Sequence, residues 1–448
     1  NAAFIPSYAG ALAENKEKAD HFARNVFNLL FIILLFLVLI AEIFMPQLIY
    51  LIAPGFYKDP EKLKLAVNLS RITFPFLFFI CLASFFSAIL NSYNKFAAAA
   101  AAPIILNVIL IGSLFFSKWI NISDVFTLSY AVSIAGLLQF LILLFFVRKH
   151  FKLILNIKVK IDDKIKFFFR KLIPSIFSSG VTQINILVGT IIASFQAGAV
   201  SYLYYADRVY QINLAVAGIA VGTVMLPELS KHVKNNNSDL ITNLQNRALE
   251  LCLFLSIPAG TALVIASEEI VTSLFGYGSF DYKSVNNTAI ALTFFAFGVP
   301  AFSILKIFSN FFFARNNTKL PFYLSVISVI LNILISVLFF GKLGFVIIPI
   351  ATSISSWINV ILHFYFIKKQ NLHDFDRTFI YKFPRMIFST VVMGIILYFT
   401  LGFFSDKFNY NESWKIVYLF IIVSVSLLIY FFVSNFSGAF KLKDIKLR

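Results

Sequence analysis

Charge is scarce in this chain. Only 13% of its 448 residues are Asp, Glu, Lys or Arg, too few to clothe a water-soluble domain of that length, and the mean hydropathy of +0.85 makes a lipid bilayer its solvent. There are two cysteines, Cys81 and Cys252, both inside apolar runs; they read as small core residues rather than a disulfide or a metal pair. The five histidines are scattered without metal-ligand spacing. No glycine-rich nucleotide cradle is present, so nothing marks ATP as an energy source or any cofactor as bound. No catalytic constellation appears either. Asp59 with Glu61 is the one weak outer-loop pair that a membrane transferase could use, and the lysines around it favour a solvated loop instead. Segments of about ten residues with alternating polarity, the mark of a membrane β-barrel, are missing, as are an N-terminal methionine and a charged-then-apolar leader.

Long apolar runs are what the chain has in abundance. They extend from Ala23 to Ile52, Leu69 to Asn91, Ala97 to Phe116, Val125 to Val147, Ile173 to Phe195, Ser201 to Leu226 and Ala248 to Leu274. They continue from Thr288 to Phe313, Phe322 to Phe340, Phe345 to Ile367, Phe383 to Phe404 and Trp414 to Val433. Most approach the ~20 residues that a helix needs to cross the hydrocarbon layer. The pattern predicts an all-α polytopic membrane protein with about twelve transmembrane helices. If the N-terminus faces the cytoplasm, 27 of the 38 lysines and arginines fall in inside loops and 8 in outside loops. That asymmetry obeys the positive-inside rule and puts both ends in the cytoplasm of a bacterial inner-membrane protein. It also accounts for the net charge of +17 without nucleic acid as a partner. The longest polar connection, Arg148 to Lys171, which contains KLILNIKVKIDDKIKFFFRK, is either a segment lying on anionic headgroups or a solvated linker.

The chain repeats itself. Pro6 and Gly55 match Pro227 and Gly276 at an offset of 221; Pro75 and Asn107 match Pro300 and Asn332 at 225; Arg148-Lys149 match Lys368-Lys369 at 220. Six helices per copy is an even number, so the copies point the same way, and two parallel-related lobes with a cavity between them are expected. The expected division is an N-terminal lobe at 1–150, a C-terminal lobe at 151–370 and two further helices at 371–448. The second copy begins near Pro174, about 53 residues before Pro227, whereas five residues precede Pro6. The first lobe is therefore expected to lack its first helix and most of its second, and an intact chain would have about fourteen helices.

Ionisable groups inside a membrane helix are expensive, about 2.5 to 3.5 kcal/mol each on insertion scales, so each is a functional candidate. Arg208 stands out. Ser201, Tyr204, Arg208 and Gln211 follow the spacing that lines one helix face, while Asp207 points about 100° away. Arg208 either lines a hydrated cavity, snorkels to the outer interface or pairs structurally with another helix. Lys306, with Asn310 a turn further on, either lines the same cavity or holds helix-end carbonyls. Glu42 lies near the outer end of its helix. Asn91, Asn107, Asn185, Asn332 and Asn359 read as interhelical hydrogen-bond partners. Pro75, Pro258 and Pro300 are bends for gating or for packing.

These stretches resemble the MurJ (MviN) family of lipid II flippases, in a superfamily that also contains drug and polysaccharide exporters. The resemblance covers most of the chain. It is carried by AAFIPSY from Ala2, RITFPFLFFICLASFFSAILNSYNKFAAAAAAPIILNVILI from Arg71, YYADRVYQINLAVAGIAVGTVMLPELS from Tyr204, LFGYGSF from Leu274 and FFARNNTKLP from Phe312. It implies fourteen helices, a transporter rather than an enzyme, and a single chain as the working unit. It places Arg208 on a central-cavity arginine, Asp207 on the carboxylate beside it and Ser201 on a cavity serine, with Gln211 on the same face. Other cavity arginines of the family lie in its first two helices, which this sequence does not contain. Some members hold a cation with acidic residues of the second lobe, and no such intramembrane carboxylate is visible in this sequence. The implied substrate is an undecaprenyl pyrophosphate carrying a disaccharide-peptide, whose anionic head suits arginine forks; a polysaccharide unit or a drug is the alternative cargo within the superfamily.

Overall fold

The computed structural model describes residues 4–154, 180 and 183–440. The basic connection from Arg148 to Lys171, Pro174, and the lysines and arginine after Phe440 lie wholly or mostly outside these residues. Among the described residues there are helices and no strands. They fall into two compact units that divide between residues 180 and 181.

The first unit contains α1 (Phe4–Glu14), α2 (Lys16–Ile43), α3 (Met45–Ile52), α4 (Pro60–Thr73), α5 (Pro75–Ser92), α6 (Phe96–Ile120) and α7 (Asp124–Val147). The second contains α8 (Gln183–Ala193), α9 (Ala199–Leu214), a π-helical turn at Ala215–Ala220, α10 (Val221–Lys234), α11 (Ser238–Ile265), α12 (Ser267–Phe275), α13 (Tyr282–Ala296) and α14 (Val299–Phe313). It ends with α15 (Lys319–Leu343), α16 (Ile347–Lys369), α17 (Arg377–Phe403) and α18 (Lys415–Ser437).

Local chemistry sets the helix ends. Asn15, Asp59, Asn237, Asp281 and Asp376 cap N-termini by accepting main-chain N–H bonds. The turns that follow five helices each hold an asparagine at positive φ, namely Asn94, Asn121, Asn236, Asn316 and Asn371, the residue that tolerates this conformation best after glycine. Large apolar side chains face outward: Phe115 is 72% exposed and Phe436 88%. Such surfaces are stable only in lipid.

Among the described residues, nine helical segments are long and apolar enough to cross a bilayer, with a tenth if α13 and α14, bent by 41°, are one broken span. The 51-residue segment Lys319–Lys369 is a hairpin rather than one rod. Ser328 Oγ donates to Ser355 O at 3.0 Å and Asn332 Nδ2 to Thr352 Oγ1 at 3.1 Å, a pairing in which one partner's number rises as the other's falls. Gly344, at φ +59, makes the reversal. Asn332 thus joins two helices as expected, whereas Asn359 turns its side-chain oxygen to His363 of its own helix. The expected run from Ile173 to Phe195 is described only as α8.

Each unit contains a broken helix met by a serine from another helix. In the first, Pro75 opens α5 directly after α4, and Ser133 of α7 donates to the carbonyl of Ile72 at the break. In the second, Pro300 stands in the first turn of α14, Gly298 N turns to Phe295 O, and Ser353 of α16 donates to the freed Phe294 O at 2.6 Å. Trp357 Nε1 donates to Phe297 O at 2.9 Å. A proline break in a membrane is tolerated when neighbouring side chains take up the carbonyls it releases.

The last two helices belong to the second unit. Tyr430 of α18 donates to Phe254 O of α11 at 2.8 Å, and Lys382 of α17 meets Glu250 of α11 at 2.9 Å. Lys415 opens α18 and is fully buried. Its ammonium donates to Gly276 O and Tyr410 O, both at 2.7 Å, and lies 3.9 Å from the Tyr277 ring centroid. Two carbonyls and an aromatic face replace the water that an exposed lysine would keep.

Candidate functional site

Helix α9, the π turn and α10 form one span from Ala199 to Lys234, and the expected site residues lie on it or against it. Gly198 starts it: its φ is +77, and a Cβ there would lie 2.5 Å from the Tyr202 hydroxyl, so only glycine fits. Ser201 follows on an exposed face. One turn on, Tyr204 carries the Arg208 guanidinium over its ring at 4.8 Å. Both side chains are exposed on the second unit, and Arg208 has no ion pair among the described residues. The stack holds the guanidinium plane while leaving its N–H groups free for an anion.

Gln211 does not join this stripe. Its amide donates to the carboxylate of Asp207, so Asp207 and Gln211 form one row and Tyr204 and Arg208 another. The arginine is therefore not neutralised by its sequence neighbour through a direct contact. Lys306 is also exposed, on α14, but its stem packs where a Gly218 side chain would begin, with Cγ 3.4 Å away. Gly218 is ten residues beyond Arg208, about 15 Å along the helix, so the two cations occupy different levels. Asn310 Nδ2 donates to Gly222 O at 2.8 Å and fixes α14 against α10.

Sequence reasoning missed two features. The first is an apolar cleft of about 300 Å³, walled by Asn213 and Val216 of the α9 and π-turn region, Phe254 and Pro258 of α11, Met393 of α17 and Tyr430 of α18. It begins five residues beyond Arg208, about 8 Å along the axis. The second is a carboxylate within the second unit's spans. Glu250 lies mid-way along α11 with its side chain 6% exposed, paired with Lys382. It corrects the expectation that no such carboxylate lies within the second lobe's spans. A glutamate in the apolar run from Ala248 was its available signal. Among the described residues no group of acidic, His or Cys side chains could hold a metal ion.

Residues 1–419 match the family model described as lipid II flippase MurJ. The chain belongs to the MurJ family of lipid II flippases. A probable lipid II flippase MurJ of Rickettsia prowazekii is 36% identical, over 92% of this chain and 88% of that protein. One of Rhizobium meliloti is 37% identical over 89% and 75%. Among solved structures, a lipid II flippase MurJ in an inward closed conformation superposes with a TM-score of 0.79 at 28% identity, covering 97% of this chain and 88% of that one. An inward-facing multidrug resistance MATE family transporter of the MOP superfamily gives 0.68 at 14% identity, a likeness of fold alone. The chain is thus a multi-pass α-helical membrane protein of a flippase family.

Proposed function

We propose that the chain moves lipid II, an undecaprenyl-pyrophosphate-linked peptidoglycan precursor, from the cytoplasmic to the periplasmic leaflet of a bacterial inner membrane by alternating access. No covalent step is involved, and the single chain is the working unit, with both ends in the cytoplasm. The observation that carries the reading is a ring-stacked arginine, with no ion pair among the described residues, one and a half turns from an apolar cleft on the same helix. That pairing suits an amphiphile with an anionic head and a hydrocarbon tail. Arg208 takes the pyrophosphate, with Ser201 two turns before it as a hydroxyl donor further along the head; Asp207 and Gln211 stiffen the next row; the cleft takes a length of the tail. Lys306 offers a second cationic contact further along the path.

The internal duplication is part of this proposal. The serine-capped helix breaks at Pro75 and Pro300 support it, since two six-helix lobes built alike give a transporter two matched halves to rock. Two phosphate charges leaving a negative interior at 100 mV gain about 4 to 5 kcal/mol if no cation travels with them, so the membrane potential can drive export. The test is growth of cells depleted of their own lipid II flippase and expressing a full-length protein with substitutions at Arg208, at matched levels. Arg208→Ala should nearly abolish growth. Arg208→Lys should impair it substantially, because lysine keeps the charge but not the bidentate fork. Normal growth with the alanine variant removes Arg208 from the mechanism.

A further inference from the structure

The start of α17 has a basic stripe that the transport reading does not use. Arg377, Tyr381 and Arg385 recur every four residues and so share one side of the helix. With Ile380 and Pro384 they line a recess of about 470 Å³. The opposite side of α17 is committed to the protein: Phe379 and Met386 are buried, and Lys382 is paired with Glu250. The stripe therefore looks away from the unit's core. Beyond it α17 runs through apolar residues to Phe403, which sets the stripe at the end of a span, where headgroups lie.

The two guanidinium groups are available. Among the described residues neither Arg377 nor Arg385 pairs with a carboxylate, and Asp376, the nearest acid in sequence, is occupied in capping α17 through the N–H of Phe379 at 2.6 Å. Arg385 is also pre-oriented. Its guanidinium lies 3.6 Å from the centroid of Tyr381, and on another side it abuts Gly438, where an added Cβ would stand 2.8 Å from Nη1. A flat cation held between a ring and a backbone presents its edge N–H groups in a fixed direction, which suits the oxygens of a phosphate.

We propose that this end of α17 is an interfacial binding site for the phosphodiester headgroup of an anionic phospholipid, a resident of the bilayer and not the transported cargo. The phosphate is held by Arg385 and Arg377, about 12 Å apart along the axis and each long enough to lean toward it. The Tyr381 hydroxyl reaches the glycerol level, as aromatic residues do at membrane interfaces. Ile380, Pro384 and the exposed Phe388 lie along the acyl chains. Basic recesses at helix ends recognise anionic lipids by this combination of charge and apolar flank.

The test uses the full chain purified in a neutral maltoside detergent. Binding of phosphatidylglycerol, phosphatidylcholine and inorganic phosphate is read by native mass spectrometry and by the rise in melting temperature. Phosphatidylglycerol should bind in preference to phosphatidylcholine, and Arg377→Gln with Arg385→Gln should weaken it at least about tenfold. Arg385→Lys should recover only part of the loss. Lys407→Gln, which removes an exposed charge elsewhere, should leave binding unchanged, and the variants' melting temperatures without lipid show that they are folded. Unchanged phosphatidylglycerol binding in the double glutamine variant overturns the proposal. So does inorganic phosphate binding as well as the lipid, or a polyprenyl phosphate displacing phosphatidylglycerol from this site at equal concentration.

Discussion

Substituting Gly298 by alanine should disturb a helix other than its own. The backbone there has φ −83, an ordinary helical value, so conformational strain plays no part. What matters is space: a Cβ would stand 2.4 Å from Cζ of Phe302 and 2.7 Å from Oγ of Ser353. The phenyl ring can swing, but Ser353 Oγ is donating to Phe294 O at 2.6 Å and has to give up that bond to move. Overpacking of this kind costs about 1 to 3 kcal/mol. Ser353→Ala alone should cost about 1 kcal/mol, near the range for interhelical hydrogen bonds in membranes. In the double variant the hydroxyl is already gone, so the new methyl has one obstacle fewer and no hydrogen bond left to break. The double variant should therefore lose less than the two single variants together, by about 0.5 to 1 kcal/mol. The assay is equilibrium unfolding of the purified chain in mixed micelles. Additivity within about 0.3 to 0.5 kcal/mol would refute the claim that Ser353 caps the break and that Gly298 makes room for it.

Lys382→Met should cost about 3 to 5 kcal/mol because it takes the ammonium away from the buried Glu250 carboxylate, and adding Glu250→Gln should recover most of that; the same unfolding assay checks both. His373 lies in the connection between α16 and α17, buried against Phe311 and Phe375 with Nδ1 3.1 Å from Gln245 Oε1. Burial, helped by Lys368, pushes its pKa down from 6.5 to about 4. The folded state thus favours neutral imidazole while the unfolded chain takes up a proton, so stability present above about pH 6.5 should be lost as pH falls toward about 4. Melting temperatures across that range should fall more steeply for the natural chain than for His373→Phe; parallel curves would count against the assignment.

The parts legible in the sequence are those that one helix decides for itself. Apolar runs long enough to span hydrocarbon announced the helices, and Pro75 and Pro300 announced where two of them break. Which side chain repairs each break was not legible, because Ser133 and Ser353 stand 61 and 59 residues from the carbonyls they serve. The grouping of Gln211 shows the limit within one helix. At 3.6 residues per turn it lies about 60° from Arg208 and about 40° from Asp207, so spacing alone could not choose, and the amide–carboxylate hydrogen bond did. The cleft beside Asn213 needs walls from five helices, and Lys415 sat at a run's edge where exposure and burial look alike in sequence.

The Glu250–Lys382 pair also bears on how the chain is made. The partners are 132 residues apart, and a ribosome adds about 5 to 20 residues per second, so α11 waits on the order of ten seconds for its counter-charge. During that time Glu250 is without the Lys382 ammonium, and the contact between α11 and α17 forms only once α17 is synthesised. A variant without Lys382 would consequently meet the membrane's quality-control proteases before it met any substrate, and its defect would show first as low abundance.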